Sequence, residues 1–236
     1  QGETTIGDTV IPSESLVATT TVKDGKAEFG AIQLPEGYYY VKELDAGEKH
    51  DLNTTMYGFH FHTTDNEKIK HIDLNDSKVI NNKLHENELS FKKINEVATL
   101  VSGKGYSYAI TGNAAGAIFE LLDADKKVIQ TITVGKDSIG SIKHLPVGTF
   151  YLRESKPSAT NLVLSKETLK LVSTKDGVTV FDSKDKQIGE TKADTKKPTI
   201  AFELTNELIK DTGELTKTDV STGKRLQNTS IRILDE

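Results

Sequence analysis

Cysteine is absent from all 236 residues, which removes disulfides, thiolate metal sites and a cysteine nucleophile together. It does not place the protein inside a cell, because a secreted chain can be stabilised by other means. No run approaches the apolar length of a membrane span, so no membrane insertion is expected. Charge of one sign is lacking as well. The formal net charge is -5 and the isoelectric point is near 5.8. Lys and Asp/Glu are interspersed, which argues against a phosphate-binding surface and hence a nucleic-acid partner. No signal peptide, sorting motif or lipidation signal is read in the sequence, so it reads as a mature fragment.

A sustained helical period with caps is also missing, while turn signals recur between short alternating runs. Hydrophobic residues at 35% and charged residues at 28%, with a mean hydropathy of -0.43, describe a well-solvated chain long enough for two ordinary cores. The expected fold class is all-β, with tandem antiparallel sandwiches.

The alternating runs repeat. In residues 1–85, Glu28-Phe29 and then Tyr39, Val41 and Glu43 have strand period, Lys23-Asp-Gly-Lys26 carries the Asp-Gly hairpin signal, and Tyr57 to His62 alternates with Phe59 and Phe61 inward. Tyr38 and Tyr40 then face outward. Val79 and Asn81 close this unit. In residues 86–210 the plan recurs with an added opening strand: Leu89, Phe91 and Lys93 begin it, Ala117, Phe119 and Leu121 follow, and Phe150, Leu152 and Glu154 match Tyr39, Val41 and Glu43. Ile200, Phe202, Leu204 and Asn206 close it. Residues 211–236 begin a third copy and stop, with Leu215 and Lys217 matching Phe91 and Lys93, and Ile231 and Ile233 matching Phe119 and Leu121. The first unit lacks the opening strands, and the tail is expected to be little else. The break between Glu236 and Gln1 falls at a polar hairpin tip.

Lys93, Glu154 and Asn206 lie on three strands, each on the side that carries the large apolar residues. Burying an unpaired Lys or Glu costs several kcal/mol (on the order of 3–5) unless it is paired or neutralised. Desolvation favours a neutral amine beside a protonated acid. A neutral amine is a nucleophile, and an acid proton on the Asn carboxamide makes its carbon more electrophilic. Attack with loss of ammonia leaves a Lys–Asn isopeptide bond, a single self-modification with no enzymatic turnover.

Leu-Ser-Phe-Lys-Lys93, Gly116-Ala-Ile-Phe-Glu-Leu121, Leu145-Pro-Val-Gly-Thr-Phe-Tyr-Leu-Arg-Glu154, Leu204-Thr-Asn206 and the tail segment Gly213-Glu-Leu-Thr-Lys217 resemble the collagen-adhesin B-type (CnaB, SpaA-like prealbumin-fold) domains of Gram-positive surface adhesins and pilins. The resemblance implies Ig-like sandwiches in which a first-strand Lys is joined to a last-strand Asn with help from an acid between them. Carried over by position, Lys93, Asn206 and Glu154 form one set. Glu43 and Asn81 form part of a second that lacks its own Lys, and Lys217 is the candidate to complete it, in the same chain or in another. Asn82 and Lys92 are register alternatives, which the strand period points to the opposite face. Departures are Asn95 in place of an acid two residues after Lys93, a long connection from Lys93 to Ala117, and Ser-Lys-Pro after Glu154.

The resemblance implies a stalk segment of a surface adhesin or pilus-like protein, extracellular and at the cell wall. Its implied partners are neighbouring domains, other copies through residues 211–236, or a host extracellular-matrix ligand. A ligand-binding module for a host protein or glycan, tested at Tyr38 and Tyr40, and an accessory sandwich of a secreted enzyme are the alternatives. No cofactor is called for. His60 and His62 share a strand face and could bind a metal, but no third ligand stands at a telling spacing, so exposed sheet residues are expected and no metal site is assigned. Gly112 to Ala117 is Gly-rich but leads into a strand, so a connector is expected there rather than a phosphate cradle.

Overall fold

The computed structural model describes residues 4–6, 8–62, 80–193 and 199–234. Val79 and the expected hairpin tip at residues 1–3 and 235–236 lie outside them. The chain divides into two compact units, Gln1–Glu86 and Asn87–Glu236, and the described residues contain no helix.

The first unit holds two ribbons. One pairs β1 (Thr4–Ile6) with β2 (Thr9–Ile11), and the other pairs β3 (Gly37–Val41) with β4 (Tyr57–Phe61) in antiparallel register, Tyr39 opposite Phe59. Both strands of the second ribbon alternate half-buried and exposed residues, as a period of two requires when one face is covered. Tyr39, Val41, Tyr57, Phe59 and Phe61 take the covered face and Tyr38 and Tyr40 the open one, in agreement with the sequence pattern. Lys23 and Lys26 close a tight turn in which Asp24 and Gly25 both have positive φ, 49° and 77°. That is the geometry of a type I′ turn, for which Asp-Gly is suited. Glu28-Phe29, by contrast, forms no strand, and Phe29 is exposed. No described residue of this unit is buried.

The second unit is a sandwich. Its larger sheet runs in the order β13 (Gln187–Lys192), β12 (Gly177–Phe181), β11 (Thr168–Thr174), β10 (Gly148–Lys156), β7 (Ile118–Leu122), β8 (Val128–Thr133), all antiparallel. The smaller sheet is built around β5 (Glu86–Val101), which pairs with β6 (Gly105–Asn113), β9 (Ile139–Pro146) and β14 (Ile200–Asn206). The pairing of β14 with β5 is parallel, an exception to the antiparallel expectation, and aligns Leu204 with Lys93 and Asn206 with Asn95.

Leu89 and Phe91 of β5, Ile142 and Leu145 of β9 and Phe202 of β14 face Phe119, Leu121, Leu152, Leu169, Leu171, Val178 and Val180 of the larger sheet in one core. Each such burial contributes about 1.5–3 kcal/mol relative to exposure. Phe91 is the hub, meeting Phe119 edge-on at 4.8 Å and Phe202 stacked at 5.4 Å between centroids. Gly140 permits this, since a Cβ there would lie 2.3 Å from the Phe91 ring.

The long connection between Lys93 and Ala117 is the outer half of β5 with β6, an extended hairpin whose residues are largely exposed. Gly112 to Ala117 ends it as a connector, turning at Gly116, where φ is 86°. In the tail, Thr218 and Arg225 form a bridge around a turn held by Asp219. The alternation at Leu215 and at Ile231 and Ile233 does not form strands within this chain, and all three side chains are exposed. A two-stranded element without a partner sheet buries too little to hold more.

Candidate functional site: a buried Lys–Glu–Asn triad and a second Glu–Asn pair

Strand alternation places three polar side chains in the sandwich core. Lys93 shares the inner face of β5 with Leu89 and Phe91, Glu154 that of β10 with Phe150 and Leu152, and Asn206 that of β14 with Phe202. Lys93, Glu154 and Asn206 are 0%, 4% and 2% exposed.

They meet. The Lys93 Nζ donates to Asn206 Oδ1 at 2.5 Å and lies 3.4 Å from Glu154 Oε1. Asn206 Nδ2 donates to the same Glu154 oxygen at 2.8 Å, and the Ser165 backbone N–H donates to the other at 2.9 Å. The backbone N–H of Lys93 is tied to the Ser138 carbonyl, which holds β5 in register at this point. The Phe119 ring stands 5.7 Å from Nζ.

Desolvation pushes the Lys93 amine below its ordinary value, and the charge and hydrogen bond of Glu154 oppose that shift. The result is an amine in contact with a carboxamide, both touching one carboxyl, with water excluded. Such an arrangement suits acyl transfer from the amide to the amine.

The first unit reproduces half of this site, residue for residue. Glu43 Oε1 accepts from Asn82 Nδ2 at 2.6 Å, and Glu43 Oε2 accepts from the Asn53 backbone N–H at 2.7 Å. The backbone around both pairs matches as well. Val163 N–H to Glu207 carbonyl and Ile209 N–H to Asn161 carbonyl recur as Asp51 N–H to Lys83 carbonyl and His85 N–H to Lys49 carbonyl. The bridge between Leu162 and Leu208 recurs between His50 and Leu84.

This register corrects the expectation for Asn81, which is exposed, while Asn82 is half-buried and meets Glu43. The strand period misleads because Glu43 and Asn82 lie beyond regular strands, where the isolated His50–Leu84 bridge sets the facing residue. The remaining predicted residue, Lys217, is exposed on the tail, its carbonyl accepting from Leu226 N–H. Lys92 faces outward and pairs loosely with Glu203 at 3.9 Å.

Two contacts near the triad were not foreseen from sequence. Asn95 occupies the position two residues after Lys93 and donates to the Asn113 carbonyl and to Ser158 Oγ, each at 2.7 Å. Glu96, almost buried, accepts from Lys210 Nζ at 2.8 Å and from Leu208 N–H at 2.9 Å, clamping the end of β14 against β5. The Lys210 bond lowers the pKa of Glu96 and raises that of Lys210.

Residues 110–187 match the family model described as SpaA, prealbumin-like fold domain. That segment, about a third of the chain, is similar to SpaA-type prealbumin-like domains. It runs from β6 to the start of β13 and contains Glu154, whereas Lys93 and Asn206 flank it. The solved structures to which the chain is similar include the Bacillus anthracis TIE protein, at 17% identity and a TM-score of 0.43, over 75% of this chain and 26% of that one. The minor pilin of Streptococcus agalactiae shares 17% identity over 78% of this chain and 66% of that one, with a TM-score of 0.33. The group B streptococcus pilus 2b backbone protein also shares 17% identity, over 76% and 52%, with a TM-score of 0.33. The chain thus spans about a quarter of the TIE protein's length. No curated protein matches it.

Proposed function

We propose that the SpaA-type unit is a stalk segment of a Gram-positive surface adhesin or pilus-like protein, locked by an isopeptide bond between Lys93 and Asn206. The observation that carries this reading is the buried contact of Lys93 Nζ with the Asn206 carboxamide beside Glu154. The neutral amine attacks Asn206 Cγ, forming the Nζ–Cγ bond. Glu154 carries a proton from Nζ to Nδ2, the Cγ–Nδ2 bond breaks, and ammonia leaves. One turn of this chemistry consumes the site, so the protein is not an enzyme in the ordinary sense.

The parallel pairing of β14 with β5 supports the mechanical part of the proposal. A bond between the first and last strands carries tension along one short covalent path, and the sandwich between them is not stretched. Such a segment works outside the cell, at the wall, with neighbouring domains as its partners.

The first unit extends the proposal. It has the Glu43–Asn82 pair and no buried residue among those described, as a sandwich lacking its opening strands would. The tail, which carries Lys217 in the sequence position of Lys93, is the segment of suitable chemistry. Residues 211–236 of one molecule completing the first unit of another would give a head-to-tail assembly joined through Lys217 and Asn82.

Single-molecule pulling tests the stalk reading. The wild-type second unit should give no unfolding extension between Lys93 and Asn206, and Lys93→Ala should release the length of that segment. Equal extensions in both proteins would overturn it.

A further inference from the structure

The outward face of the β3–β4 ribbon carries a group of ligands that the stalk reading does not use. His60 and His62 stand two apart on one strand and its continuation, and their rings lie 4.8 Å apart between centroids. Because Gly37 pairs with Phe61 and Tyr38 with His60, the ribbon register brings Glu36 opposite His62. Glu36 Oε1 is 2.5 Å from His62 Nδ1. One ligand atom from each of Glu36, His60 and His62 can be chosen so that all three lie within 4.8 Å of one another.

We propose that Glu36, His60 and His62 form a zinc-binding site on the first unit. Two imidazoles and one carboxylate are a donor set that suits Zn2+, and hard cations such as Ca2+ and Mg2+ prefer oxygen ligands in greater number. Around a tetrahedral Zn2+, donor atoms lie about 3.3 Å apart, given metal–ligand distances near 2.0–2.2 Å. The present separations bracket that value: the His62–Glu36 contact has to open and the widest separation has to close.

All three side chains are exposed, so neither movement requires a core to repack. His60 is held in the ladder, Glu36 and His62 adjoin its terminal pair of Gly37 with Phe61, and Tyr38 stacks on the His60 ring at 4.2 Å, restricting its orientation. The three residues leave a fourth position to water or to an external ligand, as in open zinc sites.

The test is a Zn2+ titration of the full chain, without an affinity tag, by equilibrium dialysis, together with the histidine ring signals in NMR spectra. One Zn2+ per chain should bind at micromolar concentration, with His60 and His62 signals shifting and that of His144 unchanged. His60→Ala and His62→Ala should each weaken binding at least about ten-fold, since loss of even an outer-shell partner costs that much. Glu36→Gln should weaken it less, and His144→Ala should not weaken it at all. Absence of binding up to millimolar Zn2+, signal shifts confined to other histidines, or binding unaffected by both alanine variants would overturn the proposal. The NMR arm needs no variant, so a failure of one to fold does not protect the idea.

Discussion

The two Glu–Asn pairs are built alike and differ in what surrounds them. In both, one carboxylate oxygen receives an Asn amide and the other a backbone N–H from a loop that follows, and the same bridge fixes the facing segment. Around Glu154 and Asn206 the sandwich is closed, and β5 brings a Lys into contact. Around Glu43 and Asn82 the described residues of the unit supply no strand equivalent to β5, and both residues are only half-buried. The comparison separates two requirements for amide chemistry. Local backbone can hold an acid and an amide together, but desolvation and the amine come only with the strand that closes the core.

Removing that amine should therefore have the largest effect. Lys93→Ala makes the second unit resemble the first, and under the proposal it would open a covalent loop spanning 113 sequence positions. By analogy with a disulfide of that span, the loss is about 4–5 kcal/mol in the chain-entropy model. Thermal or denaturant unfolding of both proteins measures it. A change well under 1 kcal/mol would mean that the two sites are mechanically equivalent and that no bond was present.

The next test asks whether the first unit can be brought to the state of the second. At high protein concentration a ladder of covalent multimers should appear on denaturing gels, vanishing in Lys217→Ala and in Asn82→Ala but not in Asn81→Ala. A ladder lost with Asn81→Ala and retained with Asn82→Ala would reverse the register deduced from the backbone bridges. Absence of any ladder in wild type would leave the first unit's pair as a structural bond only.

A subtler difference is pH dependence. Burial lowers the Lys93 pKa from the ordinary 10.5, so the reactive neutral amine accumulates below the pH at which an exposed Lys would supply it. In freshly refolded protein, the rate of ammonia loss should rise with pH through the lowered pKa and level off above it. The sign for stability is the same in an unlinked Asn206→Ala variant. Between the lowered folded value and the unfolded one the unfolded chain binds more protons, so stability increases with pH across that window. Time-resolved mass spectra and denaturant titrations at several pH values check both. A rate that falls as pH rises would contradict the role given to the amine.

Much of the second unit was legible because its strands are regular. A period of two assigns Phe91 and Lys93, Leu152 and Glu154, and Phe202 and Asn206 to one face each, and tertiary packing agrees. The first unit was less legible where regular pairing stops. Asn82 displaces Asn81 because a single bridge, and not a strand, orients it, and periodicity has no hold there. The parallel pairing of β14 with β5 is a long-range choice that no local pattern encodes. Glu36 escaped notice for a similar reason. Its nearness to His62 depends on the register of a ribbon whose strands are joined by a long loop, residues 42–56.

The central claim concerns one covalent bond, and intact mass under denaturing conditions, with peptide mapping, reads it directly. The account predicts a wild-type mass lower than that of the sequence by one ammonia, with a branched peptide joining Lys93 to Asn206, and no such deficit in Lys93→Ala. An unmodified wild-type mass, or a deficit that persists in Lys93→Ala, would contradict it.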